Sequence, residues 1–368
     1  MNKIQFPVGA AIRGLGSAIP EPVRLNDFWP PAFKEKFDKL QKKDLTTIEQ
    51  STTGAKVEID PAIAAAMAPF SDDFFRGTRK RHVLPEGMKS SDLEADAARS
   101  ALDDAGVQPE EVDFLFVCSL MPDRIHPTNG PVLVDRLGMK NASAHCFDTG
   151  CASFVSHLVT ASALIHSGLA KYVLSITSST MSRFLDYDTP VSVHFGDGAG
   201  AVLFGPSTEE NGLAGYWAHT DGSLHNGIVV DHVAADGKIA CCMEEVIGPI
   251  VMATPDPALG KVGGLKSAHW CREACGGALE QAGWTIDEVD FFIPTQSLKW
   301  FPDSCRRALG LPAEKLVETF DEVANIAGAA ISHNLLCARG KKMLKRGSKL
   351  LFYTQAVGLS RLAAAYVW

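Results

Sequence analysis

The stretch CFDTGCASF, residues 146 to 154, sets Cys151 among small residues between a strand-like run and a long apolar, helix-like run. A thiol at a helix N-terminus meets free N–H groups and a partial positive charge, which favour the thiolate and offer donors to a developing oxyanion. Cys151 therefore reads as a nucleophile with a lowered pKa, its own N–H serving as an oxyanion donor. A small buried cysteine opening an Ala/Ser-rich helix explains the same spacing, and spacing alone does not separate the two readings. Nine cysteines in a chain without an N-terminal signal-like apolar segment are expected to be reduced thiols of a cytoplasmic protein. Cys241 and Cys242 are adjacent, and Cys271 and Cys275 lie one helical turn apart. Neither pair is part of a CxxC set or has a histidine partner, so no metal is expected.

Such a thiol needs a frame to position it. The chain has 368 residues, 46% of them hydrophobic, enough for a large core and more than one simple domain. Its formal charge of -8, with no basic run longer than RGTRKRH, leaves no electrostatic footprint for nucleic acid. No run of about 18 apolar residues marks a membrane span. Strand and helix periods alternate throughout, as in α/β folds. Within that alternation ALDDAGVQPEEVDFLF (101 to 116) recurs as ALEQAGWTIDEVDFFI (278 to 293), an offset of 177 residues. Each copy reads as a helix end, an Ala-Gly cap, a short loop and a buried strand. Carried forward, the offset lays the helix and strand of 151 to 179 against 327 to 355. Two pseudo-symmetric halves are expected, 1–210 and 211–368, with Cys151 and the loop around Asn325 at equivalent, converging helix starts.

These residues resemble the thiolase-fold condensing enzymes, within them the ketoacyl-acyl carrier protein synthase III type. GCASF resembles that family's nucleophile segment, VSVHFGDGAGAVLFG (191 to 205) its FGDGAGA signature and EVANIAGAAISHNL (322 to 335) its asparagine segment. The terminal KLLFYTQAVGLSRLAAAYVW resembles its closing turn and hairpin. The resemblance implies a five-layered αβαβα thiolase fold, a homodimer, no bound cofactor, and a cysteine acylated by a coenzyme A or acyl carrier protein thioester. It further implies that Asn325 donates to a thioester carbonyl and that a backbone N–H near Val357 completes an oxyanion hole. Gly196 and Gly198 are expected to shape the turn beside the nucleophile, with Phe195 against substrate.

The departures are informative. Where the family carries a catalytic histidine after the second EVDF strand, this chain reads DFFIPTQSLKW, with Thr295 at that position. Threonine is neither a cation nor a general base at neutral pH. His194, just before FGDGAG, is the leading substitute, against the bland reading of a satisfied core histidine. His269 is a weaker candidate, and His157, His166 and His333 are expected to lie on helices away from the site. Trp270 is expected in the pocket wall, and Arg76, Arg79 and Arg81 against the phosphates of coenzyme A or the carrier's arm. Residues 20–75 are longer than the family segment and read as extra helices over the entrance or the dimer face. Three functions follow: acyl transfer through Cys151 in specialised metabolism, Claisen condensation with His194 as substitute base, or a silent partner in a hetero-oligomer.

Overall fold

A computed structural model describes residues 9–41, 47–49, 56–207, 210–232 and 250–368. Cys241 and Cys242 lie outside the described residues.

The two sheets repeat one plan. In the first, the order is Gly9–Ala18, Gly198–Ser207, Val173–Ser179, Phe114–Leu120, Ser143–Cys146. The second runs Gly212–Thr220, Ser360–Val367, Lys349–Gln355, Phe291–Pro294. In both, parallel pairing at one side gives way to antiparallel pairing at the other. The repeated sequence explains the match. Gly106 and Gly283 each end a helix in the left-handed conformation, at φ 64° and 72°, which only glycine adopts without strain. The aspartate of each EVDF then fixes the neighbouring parallel strand: Asp113 accepts from Lys171 N at 2.7 Å, and Asp290 from Lys349 N at 2.8 Å.

Helices fill the space outside and between the sheets. Ser90–Ala105 covers the outer face of the first sheet, while Ser267–Ala282 and Trp300–Ala308 cover that of the second. Ser153–His166 and Ala329–Gly340 lie between the sheets, in a core that includes residues of both. The strand Val173–Ser179 is buried at every position, as a central strand covered on both faces must be. Phe154 of the central layer meets Phe352 edge to face at 5.2 Å and is fully buried, contributing about 1.5–3 kcal/mol.

The extension forms Pro31–Gln41 and Pro61–Met67, the expected extra helices. Ile63 and Ala66 lean on the outer core of the second sheet. Trp29, Phe33, Phe37 and Phe75 cluster around Val193, next to His194. The extension thus backs the turn that carries this histidine. Among the described residues no helix is long and apolar enough to cross a membrane.

Candidate active site

Cys151 sits in the tight turn Gly150–Ala152 that feeds the helix Ser153–His166. Local groups satisfy this turn: Asp148 accepts from Gly150 N at 2.6 Å, and Ser153 Oγ accepts from Thr149 N at 2.9 Å and donates to Gly150 O at 2.8 Å. The expected lowering of the thiol pKa is overturned. Although Cys151 keeps some exposure to the cavity, the surrounding protein desolvates it, and this burial with the Asp148 charge pushes the thiol up to about 11. Its own N–H pulls the other way but loses. The helix start is outweighed because the thiolate loses more hydration than the turn restores.

Asn325 is held by its backbone and by its amide. Its N–H donates to His194 O at 3.0 Å, its carbonyl accepts from Gly196 N at 3.0 Å, and its Oδ1 accepts from Ala327 N at 2.9 Å. With Oδ1 so engaged, Nδ2 is the side-chain group left to donate. A Cβ on Gly196 would strike Val323 O, so only glycine lets the FGDGAG segment run this close to the asparagine loop. The loop is strained, with Ala324 at φ 59° and Ala327 at φ 49°. Buried Gln296 fastens it, donating from Nε2 to Ala324 O at 2.9 Å and accepting from Thr319 N at 3.1 Å.

His194 ends the turn Pro190–His194, and its Nδ1 pairs with Thr78 Oγ1 at 2.9 Å. Burial first, then the Arg81 and Arg76 charges, pull its pKa down to about 3. The ring is therefore a neutral imidazole above about pH 3, and His194 lines the cavity.

Cys151, His194, Phe195, Asn325 and Val357 line one cavity of about 260 Å³. Its walls are mainly apolar, built by residues such as Leu120, Ile228, Met252, Trp300 and Phe301. The closing turn is pressed close to the cysteine: a Cβ on Gly150 would meet Val357 Cγ2 at 3.5 Å. Several expected residues are elsewhere. Thr295 is buried with its N–H on Tyr353 O at 2.8 Å and does not line the cavity. Trp270 is corrected as a pocket wall: it is buried on the outer helix, 4.9 Å from the Arg361 guanidinium, and Trp300 takes the place expected of it. Arg81 is corrected as a phosphate contact, since it is 1% exposed and its guanidinium stands over the rings of Trp29 and Phe75. Arg76 donates to the carbonyls of Phe70 and Ser71, exposed Arg79 pairs with Asp73, and neither lines the cavity. His269 is exposed, and His157, His166 and His333 do not line the cavity either.

Comparison with known proteins places this frame. The family model for 3-oxoacyl-(acyl-carrier-protein) synthase III matches residues 147–222, and that for its C-terminal part matches residues 279–368. The beta-ketoacyl-(acyl-carrier-protein) synthase III of Neisseria meningitidis serogroup A is 32% identical over 283 residues, covering 75% of this chain and 83% of that protein. The chain belongs to the 3-oxoacyl-(acyl-carrier-protein) synthase III family. A Rhizobium meliloti member of this synthase III family is 28% identical over 363 residues, 96% of this chain and 97% of that one. The crystal structure of the synthase III from Pseudomonas aeruginosa PAO1 superimposes with a TM-score of 0.76 at 24% identity, covering 98% of each chain. The five layers are therefore the thiolase fold, and the chain is of the synthase III condensing-enzyme type. Sequence reasoning missed Thr78 and Gln296 as the groups that hold His194 and the asparagine loop. Gln296 had a signal, a lone amide in TQS directly after an apolar strand, whereas Thr78 stands 116 residues from His194 in the chain and meets it only in the fold.

Proposed function

We propose that this chain takes an acyl group from a coenzyme A or carrier-protein thioester onto Cys151 and passes it to a second nucleophile, in specialised metabolism of the fatty-acid or polyketide kind. The observation that carries this reading is the meeting of Cys151, His194 and Asn325 on one apolar cavity to which Thr295 brings no group. In loading, the Cys151 sulfur bonds to the thioester carbonyl, the carbon–sulfur bond to the donor breaks, and the Cys151 proton ends on the departing thiol. The N–H groups of Cys151 and Val357 are the proposed oxyanion donors. In the second half the acceptor attacks the acyl carbon and its proton returns to Cys151.

The pKa values argue against His194 as a base. Full proton transfer from a thiol at about 11 to an imidazole whose acid form sits at about 3 is uphill by on the order of 10 kcal/mol. A neutral ring is suited to donate: with Thr78 Oγ1–H donating to Nδ1, Nε2–H is left to polarise a carbonyl. That placement beside Asn325 favours one second reading, condensation. A malonyl thioester would lose carbon dioxide, leave its electron pair on an enolate held by His194 and Asn325, and form the new carbon–carbon bond as Cys151 departs. We also propose that 1–210 and 211–368 act as the two halves of a homodimeric, cytoplasmic enzyme with no bound cofactor.

Product analysis tests the reading. The acyl-loaded chain is offered malonyl thioester, amine, alcohol or thiol acceptors, with His194→Ala and Thr295→Val in parallel. Transfer by the wild type, unchanged in Thr295→Val and slowed in His194→Ala, is expected. Carbon–carbon products select condensation. Absence of product with every acceptor, together with full activity of a hetero-oligomer carrying Cys151→Ala, would make the chain a silent partner and sink the proposal.

A further inference from the structure

Away from the cavity, one cluster has no part in the acyl chemistry. Glu322, His333 and Cys337 bring a carboxylate oxygen, an imidazole nitrogen and a sulfur within 4.8 Å of one another. His333 and Cys337 stand one turn apart on the helix Ala329–Gly340, so both lie on one face. Glu322 comes from the short helix Phe320–Val323, just before Asn325.

We propose that Glu322, His333 and Cys337 bind a divalent cation of the zinc type, with solvent in the fourth position. The donor set selects the ion. Zinc accepts thiolate, imidazole and carboxylate together, whereas calcium and magnesium seek oxygen alone. Geometry supports the same ion. Zinc–sulfur and zinc–nitrogen bonds of about 2.3 and 2.0 Å at a tetrahedral angle place the two ligand atoms about 3.5 Å apart. Cys337 Sγ and His333 Nε2 are 3.6 Å apart.

The imidazole is already oriented for this task. Ser17 Oγ donates to Ala199 O at 3.2 Å, so it accepts from His333 Nδ1–H at 2.9 Å and leaves the Nε2 lone pair toward Cys337. Metal-bound histidines are commonly held in this way, their second N–H given to a protein oxygen. Glu322 now faces Lys341 at 4.0 Å, with both side chains more than half exposed, so it can turn to the ion with little loss. On binding, the Cys337 proton leaves to solvent and the sulfur bonds as thiolate. The ion ties residues on both sides of Asn325, bracketing the strained pair Ala324 and Ala327. It would act as a staple for the loop whatever acyl chemistry the cavity performs.

The full chain, stripped with a chelator and desalted, is titrated with zinc alone and in a parallel experiment with cobalt. One equivalent per chain is expected, with a thermal midpoint that rises with zinc concentration and a thiolate-to-cobalt charge-transfer band. The band should vanish in Cys337→Ser and persist in Cys151→Ser. Exposed Glu322→Gln, which leaves the buried packing untouched, should weaken affinity by at least about ten-fold, the loss that even an outer-shell partner costs. A wild type that retains no more zinc than Cys337→Ser, a cobalt band that survives in Cys337→Ser, or unchanged affinity in Glu322→Gln would overturn the site.

Discussion

The two helix starts that meet at the cavity hold their shapes by different means. At Cys151 the left-handed residue is a glycine, Gly150 at φ 59°, and the turn's polar groups bond mostly within residues 148 to 156, with Cys118 Sγ of the neighbouring strand reaching Asp148 Oδ1 at 3.3 Å. At Asn325 the left-handed residues are alanines, at φ 59° and 49°, each costing about 1–3 kcal/mol that the surroundings must offset. Beyond the Asn325 Oδ1 contact with Ala327 N inside the loop, that support comes from outside it, from Gln296 and from the pairing of Phe195 with Asn325. A duplicated frame has thus delivered one glycine-relieved, mostly locally bonded turn and one strained loop to the same place. The asparagine side should be the more easily disturbed from a distance.

The largest contrast expected is with pH. With the thiol near 11, the thiolate fraction, and with it the loading rate, should rise about ten-fold per pH unit from 7 to about 10. Because His194 stays neutral down to about 3, stopped-flow loading should show no inflection near 6.5; one there would put a histidine of ordinary pKa in the step. Next, Asn325→Ala should lower turnover by about 10²–10³-fold while leaving the amount of acyl group loaded on Cys151 unchanged, which separates the two helix starts functionally. Gln296→Ala leaves Ala324 O and Thr319 N without their partner, so urea unfolding should show a loss of about 1–3 kcal/mol, with turnover falling more than loading. The smallest effects form a mirrored pair. Ala324→Gly should stabilise by about 1 kcal/mol or less, and Gly150→Ala should destabilise by about 1 kcal/mol. Equal shifts of one sign would erase the distinction between turn and loop.

What the sequence shows and what it hides divide by the range of the forces involved. The duplicated frame is legible because it rests on local chemistry: an Ala-Gly helix end, a short loop, and an aspartate that caps the next strand in each copy. The meeting of Cys151 and Asn325 follows from that symmetry. The direction of the Cys151 pKa does not, because it depends on which segments close over the thiol, among them the remote turn at Val357. Arg81 misleads for a similar reason. In sequence it belongs to a basic run, but the extension folds Trp29 over it and turns a surface charge into a buried one. Trp270 and Trp300 both stand on helices of the same outer layer, and periodicity alone does not choose which of them reaches the cavity. His194 and Thr295 each stand out in the sequence as candidates. That the first lines the cavity and the second does not is a matter of tertiary placement.

The most direct test of the central claim, that Cys151 carries the acyl group, is intact-protein and peptide mass spectrometry after exposure to a panel of acyl-coenzyme A and acyl carrier protein thioesters. The account predicts one acyl adduct per chain, mapped to the peptide containing Cys151, absent in Cys151→Ala and present in Thr295→Val. An adduct that persists in Cys151→Ala, or no adduct from any thioester at pH values up to 10, would contradict it.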